Sequence, residues 1–138
     1  MSMGTELQTA IYNALKAPIE AAGGAVYDEV PELPVGMPDN DFPFVEIGDV
    51  TPSPFDTDDT VGWEVYVRLH IWSRYRGKKE LHDLFQVCYG TLNRVTFTLT
   101  NYFHFDTLQF GDFAAQREGD NTTMHGHGRF VFKIQSKT

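Results

Sequence analysis

One stretch constrains the fold more than any other. Between residues 62 and 74, Trp63, Val65, Val67, Leu69 and Ile71 alternate with Glu64, Tyr66, Arg68, His70 and Trp72. Strict period-two alternation of this length is incompatible with a helix and specifies a long β-strand with one wholly apolar face. The opposite face is aromatic and charged, which suits a surface covered in part or covered on assembly, and Tyr66 and Trp72 are residue types enriched at interfaces.

The rest of the chain arranges itself around that strand. Leu7, Ile11, Ala14 and Leu15 give an apolar stripe over residues 6–17, with Thr5 as N-cap, Gln8 as its capping-box partner, and Pro18 as the point where the helix breaks or kinks. Gly23 and Gly24 close this region. Residues 25–30 form a short strand. Four prolines between 31 and 43 require a loop, residues 44–50 resume as a strand, and residues 51–60 are polar, acidic and loop-like. A second helix over 80–93 places Leu81, Leu84, Phe85, Cys88 and Leu92 on one stripe, so Cys88 packs as a small hydrophobe. Residues 96–100 alternate as a strand, 102–116 as a long bulged one, and 122–135 as the last, after a turn at 118–121. Strands and helices do not alternate regularly. The economical fold is therefore a single α+β domain spanning residues 1–138: an antiparallel sheet, or a mixed one, with both α-helices packed on one face.

Composition narrows the function. The 138 residues carry a net charge of -8 and a single cysteine, which disfavours a phosphate-gripping nucleic-acid domain and excludes an internal disulfide or a multi-cysteine zinc site. No apolar run reaches membrane-spanning length and the first residues lack a signal-peptide pattern, so a cytosolic origin is the simplest reading. The charge is strongly segregated: residues 1–67 hold 13 acids and one base, residues 68–138 hold 10 bases and 6 acids. Such asymmetry suits copies that meet head to tail, a contact that closes into a ring when its rotation permits. The basic candidates are Arg74, Arg76, Lys78 and Lys79, and the acidic ones Asp56, Asp58 and Asp59, with Tyr66 and Trp72 beneath. Bases preceding a helix oppose its dipole slightly, which points to a partner for them.

Chemistry is sparse. His125 and His127 share a strand face and could take a third metal ligand from His70 or His104, yet no HExxH or Cys/His cluster accompanies them. The glycines between and after them equally suit a strand that another backbone approaches closely. Residues 56–61 resemble a calcium loop but carry Val61 at the glycine position and Val67 at the closing acid. No nucleophile elbow, reactive-cysteine context or dinucleotide fingerprint occurs, so neither an enzyme nor a cofactor is expected.

Three segments together carry a family resemblance. They are His70, Ile71, Trp72, Ser73, Arg74, Tyr75, Arg76, Gly77, Lys78, Lys79 and Glu80; then Ala25, Val26, Tyr27, Asp28, Glu29, Val30 and Pro31, followed by Phe42, Pro43, Phe44, Val45 and Gly48; and finally Thr123, Met124, His125, Gly126, His127, Gly128, Arg129 and Phe130. In this order they resemble the tail-completion, or tail-terminator, family of long-tailed phages, prophages and gene transfer agents. The resemblance implies a virion protein that forms a hexameric ring with copies of itself at the head-proximal end of the tail tube. That ring would stop tube polymerisation and meet the tail tube protein on one side and head-completion proteins on the other. DNA would pass through its lumen without specific binding, and an acidic lining would suit that passage. A stopper or tube subunit is the alternative within virion proteins, and a small histidine-based metal enzyme the alternative outside them.

Overall fold

The computed structural model describes residues 2–28, 34–56 and 60–137. Two α-helices, α1 (Met3–Ala21) and α2 (Lys79–Leu92), pack on one face of a five-stranded sheet. Its strands are β1 (Ala25–Tyr27), β2 (Phe44–Pro54), β3 (Gly62–Ser73), β4 (Tyr102–Arg117) and β5 (Met124–Ser136). The order is β1-β2-β3-β5-β4. β1 runs parallel to β2 and every other pair is antiparallel, so the sheet is mixed. None of the described helices is long and apolar enough to cross a membrane.

The core lies where the alternation puts it. Val65, Val67, Leu69 and Ile71 of β3 meet Phe130, Phe132 and Ile134 of β5, and Leu7, Ile11, Leu15 and Ile19 of α1 close over them with no exposed surface. From α2 come Leu81, Leu84, Phe85, Cys88 and Leu92. Burial pushes the Cys88 thiol up to about 12, so it is an inert packing group.

Several local expectations change. Helix α1 starts earlier than expected, with Ser2 as N-cap: its hydroxyl accepts from Thr5 N at 3.2 Å, so Thr5 lies inside the first turn. The helix also runs through Pro18 to Ala21. Pro18 supplies no donor to the Ala14 carbonyl, a single lost bond, and the wholly buried Ile19 holds the last turn to the core. β2 continues through residues 51–54, expected as loop. There β1 no longer covers it, and Pro52 and Pro54, two residues apart, aim their missing N–H groups at the free edge while Phe55 N bonds Gly62 O on the β3 side. Residues 96–100 do not form a strand. Only a single bridge joins Thr98 to Phe103, although the alternation still delivers Phe97 and Leu99 to the core.

Candidate assembly surface

The face of the sheet opposite the helices carries the polar residues of the alternating strands. Pairing of β3 with β5 sets Glu64 opposite Lys133, Tyr66 opposite Val131, Arg68 opposite Arg129, His70 opposite His127 and Trp72 opposite His125. The two glycines of β5 point the other way, toward the helices. Phe113 covers Gly126 and stacks on Phe85 at 4.3 Å, and Phe85 covers Gly128, so aromatic rings rather than another backbone make the close approach.

The histidines form a hydrogen-bonded row. His70 Nδ1 lies 2.8 Å from His125 Nε2, and His125 Nδ1 lies 3.0 Å from Glu118 Oε1. The carboxylate can only accept, so His125 Nδ1 carries a proton; in the neutral ring Nε2 then accepts from His70 Nδ1–H. Trp72 lies flat on His125 with ring centroids 3.8 Å apart. Burial, reinforced by the neighbouring His125 and Arg68, pulls the His70 pKa down to about 4, and burial also lowers that of His125 against the pull of Glu118. Both nitrogens of His125 are therefore engaged, and Arg68 approaches His127 Nδ1 at 3.4 Å. His104 lies on the helix side, bonded to Phe97 N and Thr107 Oγ1, and cannot join them. No group of three or more metal-binding side chains with suitable geometry occurs among the described residues.

The seven assembly candidates that lie within the described residues do not form one patch. Arg74 is committed within its own chain. Nη1 donates to Asp39 at 2.7 Å, Nε to Thr123 Oγ1 at 3.0 Å and Nη2 to the carbonyls of Val35 and Pro34, while the guanidinium lies over the Phe42 ring. It clamps the loop that precedes β2. That loop also covers Trp72, which packs with Met37 and Phe44, donates weakly to Glu46 and is buried. Arg76 and Lys78 are exposed without side-chain partners among the described residues, and Lys79 pairs with Asp83 one turn on. Asp56 is exposed near the start of β3 and its Oδ1 accepts from Gly62 N at 3.3 Å; Asp58 and Asp59 fall outside the described residues. The basic turn and Asp56 thus sit at opposite ends of a 12-residue strand, about 40 Å apart. Tyr66 lies near mid-strand, edge-on to Phe110 at 5.0 Å, away from the basic turn.

Residues 9–135 match the family described as "Tail completion protein gp17". The chain belongs to the tail completion protein family. It is accordingly a structural protein of the virion tail, and its family is a structural class rather than an enzyme class. Among solved structures, it is similar to a chain of one titled "Virion of native gene transfer agent (GTA) particle". The TM-score is 0.81 at 16% identity, with 98% of each chain covered, a likeness of fold. Among curated proteins none matches.

Two features of this tail completion protein escaped the sequence. The row from His70 through His125 to Glu118 and the juxtaposition of Arg68 with Arg129 both depend on the register between strands some 60 residues apart, which no local pattern encodes. Alternation did assign each of these β3 and β5 side chains to one face of its strand; it could not say which residue of the other strand stands opposite.

Proposed function

We propose that the protein forms a closed ring of six identical subunits at the head-proximal end of the tail tube, ends tube polymerisation there and joins tail to head. Family membership over nearly the whole chain supports a tail role, and the fold likeness to a chain of a gene transfer agent virion agrees with it. The observation that carries the ring is the placement of charge. Arg76, Lys78 and Lys79 stand exposed at one end of β3, and Asp56, which Asp58 and Asp59 follow in the sequence, lies at the other. Patches of opposite sign so far apart cannot satisfy each other within one subunit, but they meet between subunits arranged head to tail. Tyr66 belongs to this contact as a mid-strand aromatic, whereas Arg74 and Trp72 support it from within by holding the loop before β2. The tail tube protein and a head-completion protein are the partners on the two ring faces. DNA passes through the lumen, from which unpaired acids repel it.

Reversal of the basic patch tests this reading. Lys78→Glu with Lys79→Glu should weaken ring formation about ten-fold or more at low ionic strength and flatten its dependence on salt, read by sedimentation velocity. Equal assembly of parent and variant at low and high salt would remove the electrostatic contact.

A further inference from the structure

Arg68 of β3 and Arg129 of β5 stand directly opposite each other on the open sheet face. Like charges at one cross-strand position destabilise a sheet. Among the described residues neither guanidinium lies within 4.0 Å of a carboxylate. Arg68 has only the 3.4 Å approach to His127, and Arg129 lies over the Phe110 ring at 4.9 Å. The pair lines a concavity of about 230 Å³ together with Asp49, Thr51, Tyr66 and Phe110. Two guanidinium groups thus face one concavity without an ion-pair partner among the described residues, in a protein of net charge -8.

We propose that the Arg68–Arg129 pair is a carboxylate-binding site that receives an acidic side chain from a second copy of this chain. The inference rests on the ring reading above. A carboxylate fits the site because two guanidinium forks can grip one by parallel, charge-assisted hydrogen bonds. The surroundings disfavour a nucleic-acid backbone. Asp49 stands in the same concavity and Glu46 and Glu64 lie on the same face, which would repel an extended polyanion but leave room for one side chain. A protein partner is favoured by the frame of the site: Phe110 is 40% exposed beside Arg129, and arginine with exposed aromatic residues is an interface signature. A second copy is favoured by charge, since residues 1–67 of every copy carry 13 acids against one base. Access is favoured by topology. Residues 93–98 meet the outer side of β4 between Phe103 and Gln109, so from Phe110 onward that edge has no backbone partner among the described residues. A neighbour laid along it lies one strand from Arg129.

The test is the double variant Arg68→Gln with Arg129→Gln, compared with the parent and with Arg94→Gln, which removes an ion pair to Asp106 elsewhere on β4. The proposal expects the double variant to melt at the parent's temperature or higher, because repulsion is relieved, and to self-associate about ten-fold or more weakly. Arg68→Lys with Arg129→Lys, which keeps charge and loses the forks, should fall between, and Arg94→Gln should assemble like the parent. Unchanged assembly of the glutamine variant overturns the site while leaving the ring intact. A lowered melting temperature in both double variants makes the pair a structural element and also overturns it. If inorganic phosphate or a short DNA duplex binds the parent but not the variant while assembly is unaffected, the occupant is a phosphate and the carboxylate assignment falls. A parent that stays monomeric at every concentration, with and without tail tubes, defeats the ring reading and this occupant together.

Discussion

Glu6 is a carboxylate in the core-facing stripe of α1, and it ties the helix to the connection between α2 and β4. Its Oε1 accepts from Thr100 N at 2.6 Å and Asn101 N at 3.3 Å, and its Oε2 from Asn101 Nδ2 at 2.9 Å. Burial alone would raise its pKa; the hydrogen bonds from Asn101 and Thr100 outweigh that and hold the carboxyl below its ordinary value. Glu6→Ala strands these amides and should lower the unfolding free energy by about 2 kcal/mol in a denaturant titration, with the slope unchanged. The histidine row sets the acid response. His70, His125 and His104 all have pKa values depressed by burial, so the unfolded chain binds more protons than the folded one below the ordinary value of 6.5. Their contribution is fully present above 6.5 and is lost as pH falls toward about 4, the His70 value, at up to about 1.4 kcal/mol per pH unit for each group. Melting temperature should therefore drop between pH 6.5 and 4.5, and His70→Gln should make that drop shallower; an identical slope in the variant would remove His70 from the account. Roles of this kind were only half legible. Period two placed His70, His125 and His127 on strand faces, but the partner of each was fixed by long-range register, and no local pattern assigns Glu6 a partner some 95 residues away.

At the scale of elements, the sheet is legible wherever one face is buried. β3 and β5 occupy nearly the spans that alternation gives them, because a shift of one residue would turn every apolar side chain to the wrong face. The failures have one physical theme, that partners outside the segment override its local signals. β2 keeps its ladder through Pro52 and Pro54 because the edge beyond β1 asks nothing of their nitrogens, and prolines there also guard the edge against stray pairing. Residues 96–100 show strand alternation but fold back onto the start of β4 and bury Phe97 and Leu99 without a ladder. The parallel pairing of β1 with β2 could not be read from three residues. In β5 the glycines are a packing requirement. A Cβ on Gly126 would run into the Phe113 ring, itself stacked on Phe85, so Gly126→Ala should cost about 1–3 kcal/mol of stability, measured by thermal or denaturant unfolding. A neutral effect would show that the stacked rings yield easily and that the β5 glycines have another purpose.

For the molecule as a whole, the fold gives one sheet face to the helices and leaves three exposed or half-open regions: the basic turn after β3, the Arg68–Arg129 concavity on the opposite face, and an apolar hollow of about 470 Å³ between Phe55 and Phe105. Phe55 and Phe105 are more than half exposed, unusual for aromatic residues in a chain that stays single. Of the three regions only the basic turn was legible in the sequence, as a run of charge; the concavity and the hollow depend on strand register. The intrachain partners of Arg74 and Trp72 were not legible, since the loop that meets them is rich in proline and carries no periodicity linking it to β3. On the function proposed above, the protein works by closing on copies of itself. Electron microscopy of the purified protein, alone and added to tail tubes, tests it most directly. Single rings of uniform diameter with six-fold symmetry, seated at one end of each tube, are the expected result. Long cylinders, or particles that remain single subunits under both conditions, would contradict it.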